Sequence, residues 1–277
     1  MAGTRAVWLD GGLVDAANAR ISVHDHGLTV GDGVFETMRA YDGRPFAVSR
    51  HLERLAASAA GLHLRIPPSG VVRRAIDEVL CANAIVDGVV RVTVTGGVGP
   101  MGSARGDAEP TVIVFAADLL VWPATADVAV VPWPRNERGA LSGLKSISYG
   151  ENVVALGWAR DRGADEALFA NLSGNLCEGT STNVFVVRGG RLHTPPLSAG
   201  CLAGVTRQLV TETSEVVEQD LSLADLAGAE EAFLTSSTRE VQPIRAVDSI
   251  PLPAAPGPLT TAAAEALAAL ICADIDP

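Results

Sequence analysis

The chain has 277 residues, of which 48% are hydrophobic and 19% are charged, and its formal net charge is −11. This length allows one large domain or two ordinary ones around a substantial apolar core. The acidic balance argues against nucleic acid as a partner, because binding to a phosphate backbone depends on clustered Lys and Arg.

Strand and helix patterns alternate along the chain. Stretches rich in β-branched residues predict strands, in chain order over residues 6–10, 33–41, 89–95, 111–120, 127–133, 166–171, 182–196 and 231–237. Apolar residues at helical spacing predict helices over residues 49–62, 69–84, 148–163, 204–214 and 262–275. Strands and helices are mixed throughout, so the sequence predicts an α/β or α+β fold.

A break in the strand pattern at Trp122-Pro123 divides the chain. It predicts an N-terminal domain over residues 1–118, a linker over 119–126 and a C-terminal domain over 127–277. The N-terminus lacks the pattern of a secretory signal, and the apolar run near the C-terminus is too short to span a bilayer. Four cysteines without CxxC spacing favour reduced thiols in a cytoplasmic protein over disulfides or a zinc site.

Three short motifs suggest functions that their context does not support. Residues 97–102, GVGPMG, match a dinucleotide-binding spacing, but the residues after them predict a loop rather than a helix. Ser142 and Lys145 match the S-x-x-K of serine acylases, but the K-T-G element of those enzymes needs a second lysine. His24 and His26 form a possible metal pair without an obvious third ligand, so we expect structural histidines and no metal site.

Lys145 is the only lysine, because the other twenty of the 21 Lys and Arg residues are arginine. In a sequence that strongly favours arginine, a lysine is expected mainly where arginine cannot replace it. Arginine stays protonated in proteins, whereas the amine of lysine can be deprotonated by burial and can attack a carbonyl. The composition alone leaves two interpretations of Lys145 open, a Schiff-base nucleophile and a chance surface residue.

A series of motifs resembles the fold-type IV pyridoxal-phosphate (PLP) enzymes, which comprise branched-chain, D-amino-acid and (R)-amine aminotransferases and aminodeoxychorismate lyases. The motifs follow the order of the family between about residues 6 and 250. They are HDHGLTVGDGVFETMRAYDGRPF, SRHLERL, LKSISYGENV, DEALFANLSGNLCEGTSTNVFVV, LHTPPLSAGCLAGVTR and FLTSSTREVQPI. The resemblance implies a smaller N-terminal α/β domain and a larger C-terminal domain with a barrel-like sheet.

The resemblance also implies roles for individual residues. Lys145 forms the Schiff base with the PLP aldehyde and is the catalytic residue. Glu178 lies beside the pyridine nitrogen and keeps it protonated. Arg54 binds the cofactor phosphate, and Tyr149 contacts the phenolic oxygen. The remaining residues implied at the cofactor phosphate or the substrate carboxylate are Val205, Thr206, Ser237 and Thr238, and those implied at the substrate are Phe35, Arg105 and Thr238.

These roles fit two reactions that share their first steps. The first is transamination between an amino acid or primary amine and a 2-oxo acid, which we favour narrowly. The second is the aminodeoxychorismate lyase reaction, which releases pyruvate and 4-aminobenzoate. An inactive ligand-binding homologue is a distant alternative. The resemblance further implies a homodimer in which the loop over residues 97–108 reaches the active site of the partner.

Overall fold

The computed structural model describes residues 5–277, which form two compact units. The first unit contains the described residues up to Leu120 together with the segments Leu144–Tyr149 and Asp274–Pro277. The second contains Val121–Gly143 and Gly150–Ala273. The break at Leu120 falls within the predicted linker. The Lys145 segment, however, belongs to the first unit, whereas a chain divided at one linker would place it in the C-terminal domain. The predicted domain limits therefore stay a prediction.

The first unit is built on a six-stranded antiparallel sheet. Its strands are β1 (Ala6–Leu9), β2 (Gly12–Asp15), β3 (Gly33–Tyr41), β4 (Arg44–Pro45), β5 (Gly88–Thr95) and β6 (Val112–Asp118). They lie in the order β2-β1-β6-β5-β3-β4. Its helices are α1 (His26–Thr29), α2 (Val48–Gly61) and α3 (Ser69–Ala82).

Helices α2 and α3 pack on the sheet face that alternate strand residues form. In β3, Val34, Met38 and Ala40 belong to this core, and in α2 Leu52 and Leu55 face them. Each fully buried side chain of this size contributes about 1.5–3 kcal/mol relative to an exposed one. The periodicity of α2 therefore fixes which side chains of this helix face the sheet.

The segment Asp274–Pro277 is docked on the N-terminal end of α2. The carboxylate of Asp276 accepts hydrogen bonds from Ser49 N and Ser49 Oγ, both at 2.7 Å, and from Arg73 at 3.3 Å. Ala47, which precedes α2, provides no side-chain cap. Asp276 therefore satisfies a helix-terminal N–H group that the helix itself leaves unpaired.

The second unit is built on a nine-stranded mixed sheet. Its strands are β7 (Ala126–Val130), β8 (Glu166–Ala170), β9 (Leu176–Gly179), β10 (Asn183–Arg188), β11 (Arg191–Thr194), β12 (Val216–Glu218), β13 (Glu231–Ser236), β14 (Glu240–Val247) and β15 (Ile250–Pro251). The order is β12-β11-β10-β13-β14-β7-β8-β9, with β15 beside β14. Because β9 also contacts β10, the sheet curls on itself.

Helices and one 3-10 turn complete the second unit. They are α4 (Gly150–Arg160), the 3-10 turn Leu197–Ala199, α5 (Val205–Thr213), α6 (Leu223–Ala227) and α7 (Pro258–Ala273). The mixed α/β class and the barrel-like sheet predicted for this part of the chain are confirmed. None of the helices in residues 5–277 is long and apolar enough to cross a membrane.

Two differences from the predicted elements have local causes. The stretch over residues 182–196 is a hairpin, because Gly189 and Gly190 both have positive φ angles, 59° and 68°, and reverse the chain between β10 and β11. Strand β14 is absent from the predicted elements. It contains Pro243, and a proline within a sequence pattern argues against a strand. The sheet nevertheless accommodates Pro243 opposite Phe233.

Candidate active site

Lys145 lies in the extended segment Leu144–Tyr149, which runs beside the beginning of β3. Its carbonyl oxygen accepts a hydrogen bond from Phe35 N at 3.1 Å, and its own N–H donates to Ser58 Oγ of α2 at 3.1 Å. Both peptide groups of the lysine are thus tied to regular elements of the first unit. The side chain is half-buried.

The ring of Phe35 brings three polar side chains together. Lys145 Nζ lies 4.4 Å from the ring centroid, and Arg91 Cζ lies 3.8 Å from it. The ring of Tyr149 packs edge-on at a centroid distance of 5.2 Å. The structure therefore unites the predicted residues Lys145, Tyr149 and Phe35 in one cluster.

Arg91 joins this cluster because β3 and β5 pair in antiparallel register. Phe35 lies opposite Thr93, so the side chain of Arg91, two residues earlier in β5, shares the face of Phe35. Its Nε donates to Thr93 Oγ1 at 3.3 Å. Burial lowers the pKa of the Arg91 guanidinium, while the negative charge of Glu36 opposes the shift. The cluster therefore holds a half-buried cation.

The opposite face of β3 carries a buried carboxylate, Glu36. Arg54 Nε donates to Glu36 Oε1 at 2.8 Å, and Arg54 Nη2 donates to Oε2 at 2.6 Å. His51 Nδ1 lies 2.7 Å from Oε2. Because an ionised carboxylate only accepts hydrogen bonds, His51 must carry a proton on Nδ1. The predicted phosphate ligand Arg54 is thus held by a bidentate ion pair.

Electrostatics keep Glu36 ionised. Complete burial alone would raise the pKa of its carboxyl, but Arg54 and His51 together lower that pKa to about 2. Burial lowers the pKa of His51 and favours the neutral ring, although Glu36 opposes this shift. The charged pair at any pH near neutrality is therefore Glu36 and Arg54.

Arg105 does not join the Lys145 cluster through its hydrogen bonds. Its Nε and Nη2 donate to Asp32 at 2.6 and 2.5 Å, and its terminal nitrogens also donate to the carbonyl oxygens of Leu62 and His63 at 2.8 and 2.6 Å. This ion pair lowers the pKa of Asp32. Arg105 fastens its loop to the end of α2, and binding a substrate carboxylate would compete with these bonds.

His26, of the possible metal pair, has protein partners on both ring nitrogens. Nε2 lies 2.9 Å from Pro100 O, and Nδ1 lies 3.3 Å from Asp32 Oδ2. Across the part of the chain that the structure describes, no group of three or more His, Cys, Asp or Glu side chains is arranged to hold a metal ion.

In the second unit, Glu178 lies on β9 with both carboxylate oxygens oriented. Leu202 N donates to Oε2 at 2.9 Å. Arg135 Nε lies 3.3 Å from Oε1, but the geometry is not that of a hydrogen bond, so the contact is an ion pair. An oriented carboxylate beside a guanidinium is a suitable acceptor for a hydrogen bond from a cationic ring nitrogen.

The N-terminal end of α5 presents backbone N–H groups near Val205 and Thr206. Within the described residues, no side chain caps this helix, although both residues are buried. A Cβ at Gly204 would lie 2.0 Å from Asn183 Oδ1, so only glycine fits before the helix. A buried helix N-terminus without a side-chain cap can bind an anionic partner.

Ser237 and Thr238 lie in the turn that joins β13 and β14. Both residues are half-buried, and Arg239 N closes the turn by donating to Ser236 Oγ at 3.1 Å. Helix α5 packs against β13, the strand that leads into this turn. The structure thus places these hydroxyls at the end of a strand that α5 covers.

Sequence reasoning missed Glu36, His51 and Arg91. Glu36 interrupts a strand face that is otherwise apolar. Arg91 interrupts a strand that is otherwise rich in β-branched residues. That irregularity was the available signal, because a charge in such a position needs a specific partner.

Comparisons with known proteins show which family the chain resembles. Residues 33–247 match the family Amino-transferase class IV. A putative branched-chain-amino-acid aminotransferase of Methanocaldococcus jannaschii is 37% identical over 254 residues, 87% of this chain and 88% of that protein. An aminodeoxychorismate lyase of Bacillus subtilis is 31% identical over 270 residues, 92% of this chain and 91% of that protein.

A solved structure has the same fold. It is the branched-chain amino acid aminotransferase of T.th. in complex with N-(5'-phosphopyridoxyl)-L-glutamate. The TM-score is 0.91 at 27% sequence identity, and the alignment covers 99% of this chain and 96% of that one.

Proposed function

This chain belongs to the class IV aminotransferase family of PLP-dependent enzymes, and on that premise we propose that it is a transaminase. It moves an amino group between an amino acid or primary amine and a 2-oxo acid. The observation that carries the proposal is the Phe35 cluster, which holds the sole lysine of the chain beside Tyr149 and Arg91.

The residues present fit PLP. The buried α5 N-terminus around Val205 and Thr206 suits a phosphate group, and the guanidinium of Arg54 also suits one. We assign the hydroxyls of Ser237 and Thr238 to the phosphate or the substrate carboxylate. Lys145 supplies the amine that PLP requires.

Bound PLP withdraws electrons from the Cα atom of the amino substrate and thereby acidifies its C–H bond. With PLP bound, the amine of Lys145 would take that proton and, in transamination, would return it on the cofactor side. The phenol of Tyr149 would hydrogen-bond the phenolic oxygen of the cofactor. Glu178 would accept a hydrogen bond from the pyridine N–H, and Leu202 N and Arg135 keep its carboxylate oriented.

For substrate recognition we favour Arg91 over Arg105. Arg91 contacts the ring of Phe35, as Lys145 does, and its one hydrogen bond within the described residues is to the Thr93 hydroxyl. Arg105 already donates to Asp32 and to two carbonyl oxygens. We therefore propose that Arg91 meets the substrate carboxylate and that Phe35 contacts the substrate side chain. Arg105 and Thr238 stay predictions for this role.

The lyase reaction is the second candidate, supported by the 31% identity with the Bacillus subtilis lyase. A half-reaction screen separates the two. Holoenzyme is mixed separately with D-alanine, L-leucine, (R)-1-phenylethylamine and aminodeoxychorismate. We expect at least one amine to convert the cofactor to its pyridoxamine form, without release of 4-aminobenzoate. Release of 4-aminobenzoate with no pyridoxamine form from any amine would establish the lyase, and a protein that binds no PLP would be the inactive homologue.

We further propose a homodimer. Two chain segments of the first unit, joined by the bridge between Asp25 and Val98, expose apolar side chains. Leu28 is 62% exposed and Met101, in the loop over residues 97–108, is 89% exposed. This surface suits a second copy of the chain, with that loop near the active site of the partner. The four free cysteines agree with a reducing, cytoplasmic location.

A charge placed in this surface should prevent dimerisation. Leu28→Glu would bury an unpaired carboxylate in the interface, at a cost of several kcal/mol. Light scattering should give about twice the chain mass of 28.6 kDa for the wild type and the single chain mass for the variant. Val86, 63% exposed on another loop, provides the control Val86→Glu, which should stay dimeric. A monomeric wild type would contradict the proposal.

A further inference from the structure

Glu36 interrupts the apolar face of β3. Its neighbours on that face, Val34 and Met38, are fully buried and belong to the hydrophobic core, and Glu36 is fully buried as well. The alternation of the strand calls for an apolar side chain at this position. An ionised carboxylate there carries a desolvation cost that any apolar residue would avoid. A local rule broken in this way points to a requirement other than stability.

The geometry around Glu36 is directed at one group, the guanidinium of Arg54. Both carboxylate oxygens receive parallel hydrogen bonds from Arg54, at 2.8 and 2.6 Å, which fixes the plane of the guanidinium and the direction of its remaining nitrogen. His51, one helical turn before Arg54, donates to Oε2 at 2.7 Å and so holds the carboxylate from a second side. An arginine on a helix face would otherwise sample many rotamers.

We propose that Glu36 is a positioning residue, supported by His51, that holds the Arg54 guanidinium in the one orientation that binds the 5′-phosphate of the cofactor. The inference rests on the proposed function, because it assumes that PLP binds and that Arg54 meets its phosphate. The Arg54 guanidinium is ordered before the cofactor arrives, so phosphate binding loses little side-chain entropy.

The competing explanation is that the Glu36–Arg54 ion pair only stabilises the fold. A comparison of ligands with and without a phosphate group distinguishes the two explanations. PLP and pyridoxal form the same bond to Lys145, but pyridoxal lacks the phosphate. A general loss of structure weakens the binding of both ligands. Loss of a positioned Arg54 weakens the binding of PLP alone. The ratio of the pyridoxal to the PLP dissociation constant therefore isolates the phosphate interaction.

The experiment titrates full-length apoprotein with PLP and with pyridoxal. For Glu36→Gln we expect PLP affinity to fall at least about 10-fold, the range of a charge-assisted hydrogen bond, with pyridoxal affinity nearly unchanged. Glu231→Gln is the matched control. Glu231 is also a buried carboxylate, but it caps α7 by accepting from Leu259 N and Thr260 N. That variant should melt at a lower temperature and keep the wild-type ratio.

A double-mutant cycle keeps the test decisive if Glu36→Gln folds poorly, since removing Arg54 as well leaves no unpaired buried charge. Arg54→Met and the double variant should show the same reduced ratio, because Glu36 acts through Arg54. A wild-type ratio in Glu36→Gln, or a further drop in the double variant, would overturn the inference and leave the proposed function intact. A wild type without saturable PLP binding would overturn the proposed function itself.

Discussion

Replacement of Lys145 by alanine should remove both turnover and the covalent attachment of PLP. The chain contains no other lysine to take over. Loss of the nucleophile and of its proton transfer should lower kcat by at least about 10⁴-fold. The visible absorbance of the cofactor linked to the protein should vanish in the same variant. Reduction with borohydride followed by peptide mass mapping should label the segment around Lys145 in the wild type and leave the variant unlabelled.

Lys145→Arg keeps the positive charge at this position but removes the nucleophilic amine, so it tests the two properties separately. The guanidinium keeps a cation near the ring of Phe35, so the fold should persist, but it cannot act as the nucleophile. We expect this variant to be as inactive as Lys145→Ala, with a melting temperature closer to that of the wild type. A lysine-free variant that keeps its absorbance and turnover would show that another group forms the bond to the cofactor.

Glu178→Gln should have the second-largest effect. Glutamine preserves the shape and can still accept the hydrogen bond from Leu202 N, but it loses the charge that stabilises a protonated pyridine ring. We expect the rate of the amino-acid half-reaction to fall about 10²- to 10³-fold, the range for removal of one preorganised electrostatic partner. Rapid mixing with the best amino donor measures this rate directly.

Glu151→Gln provides a matched control for this variant. Glu151 is also a carboxylate partner of Arg135, at 3.1 Å, but its side chain is 72% exposed. A surface ion pair contributes little, so this variant should retain the wild-type rate to within about 3-fold. Equal rate losses in both variants would assign the effect to Arg135 and would remove Glu178 from its proposed role.

Sequence patterns predicted most of the regular elements, and physical features explain what they missed. The strand over residues 33–41 was predicted with its observed limits, because the stretch is rich in the β-branched and aromatic residues typical of strands. The partner of Glu36 in this strand could not be predicted, because Glu36 and Arg54 meet only through the packing of α2 on the sheet. Pairing between distant elements is not encoded in local periodicity.

The site shows the same limit. Composition singled out Lys145, but the presence of Arg91 beside it depends on the register of β3 and β5, which a single sequence does not reveal. The family resemblance places Arg105 at the substrate, and that role stays a prediction. The structure shows that Arg105 donates to Asp32, which lies more than seventy residues earlier in the chain and which no local pattern pairs with it.

The membership of the first unit has a consequence for synthesis on the ribosome. Its sheet and helices come from the early part of the chain, but the Lys145 segment is translated after Val121–Gly143 of the second unit, and Asp276 is translated after all of that unit. Helix α2 receives its Asp276 cap only after residues 274–277 have been translated. Neither unit is therefore a transferable module: a gene fragment that ends at the linker would encode a scaffold without its nucleophile.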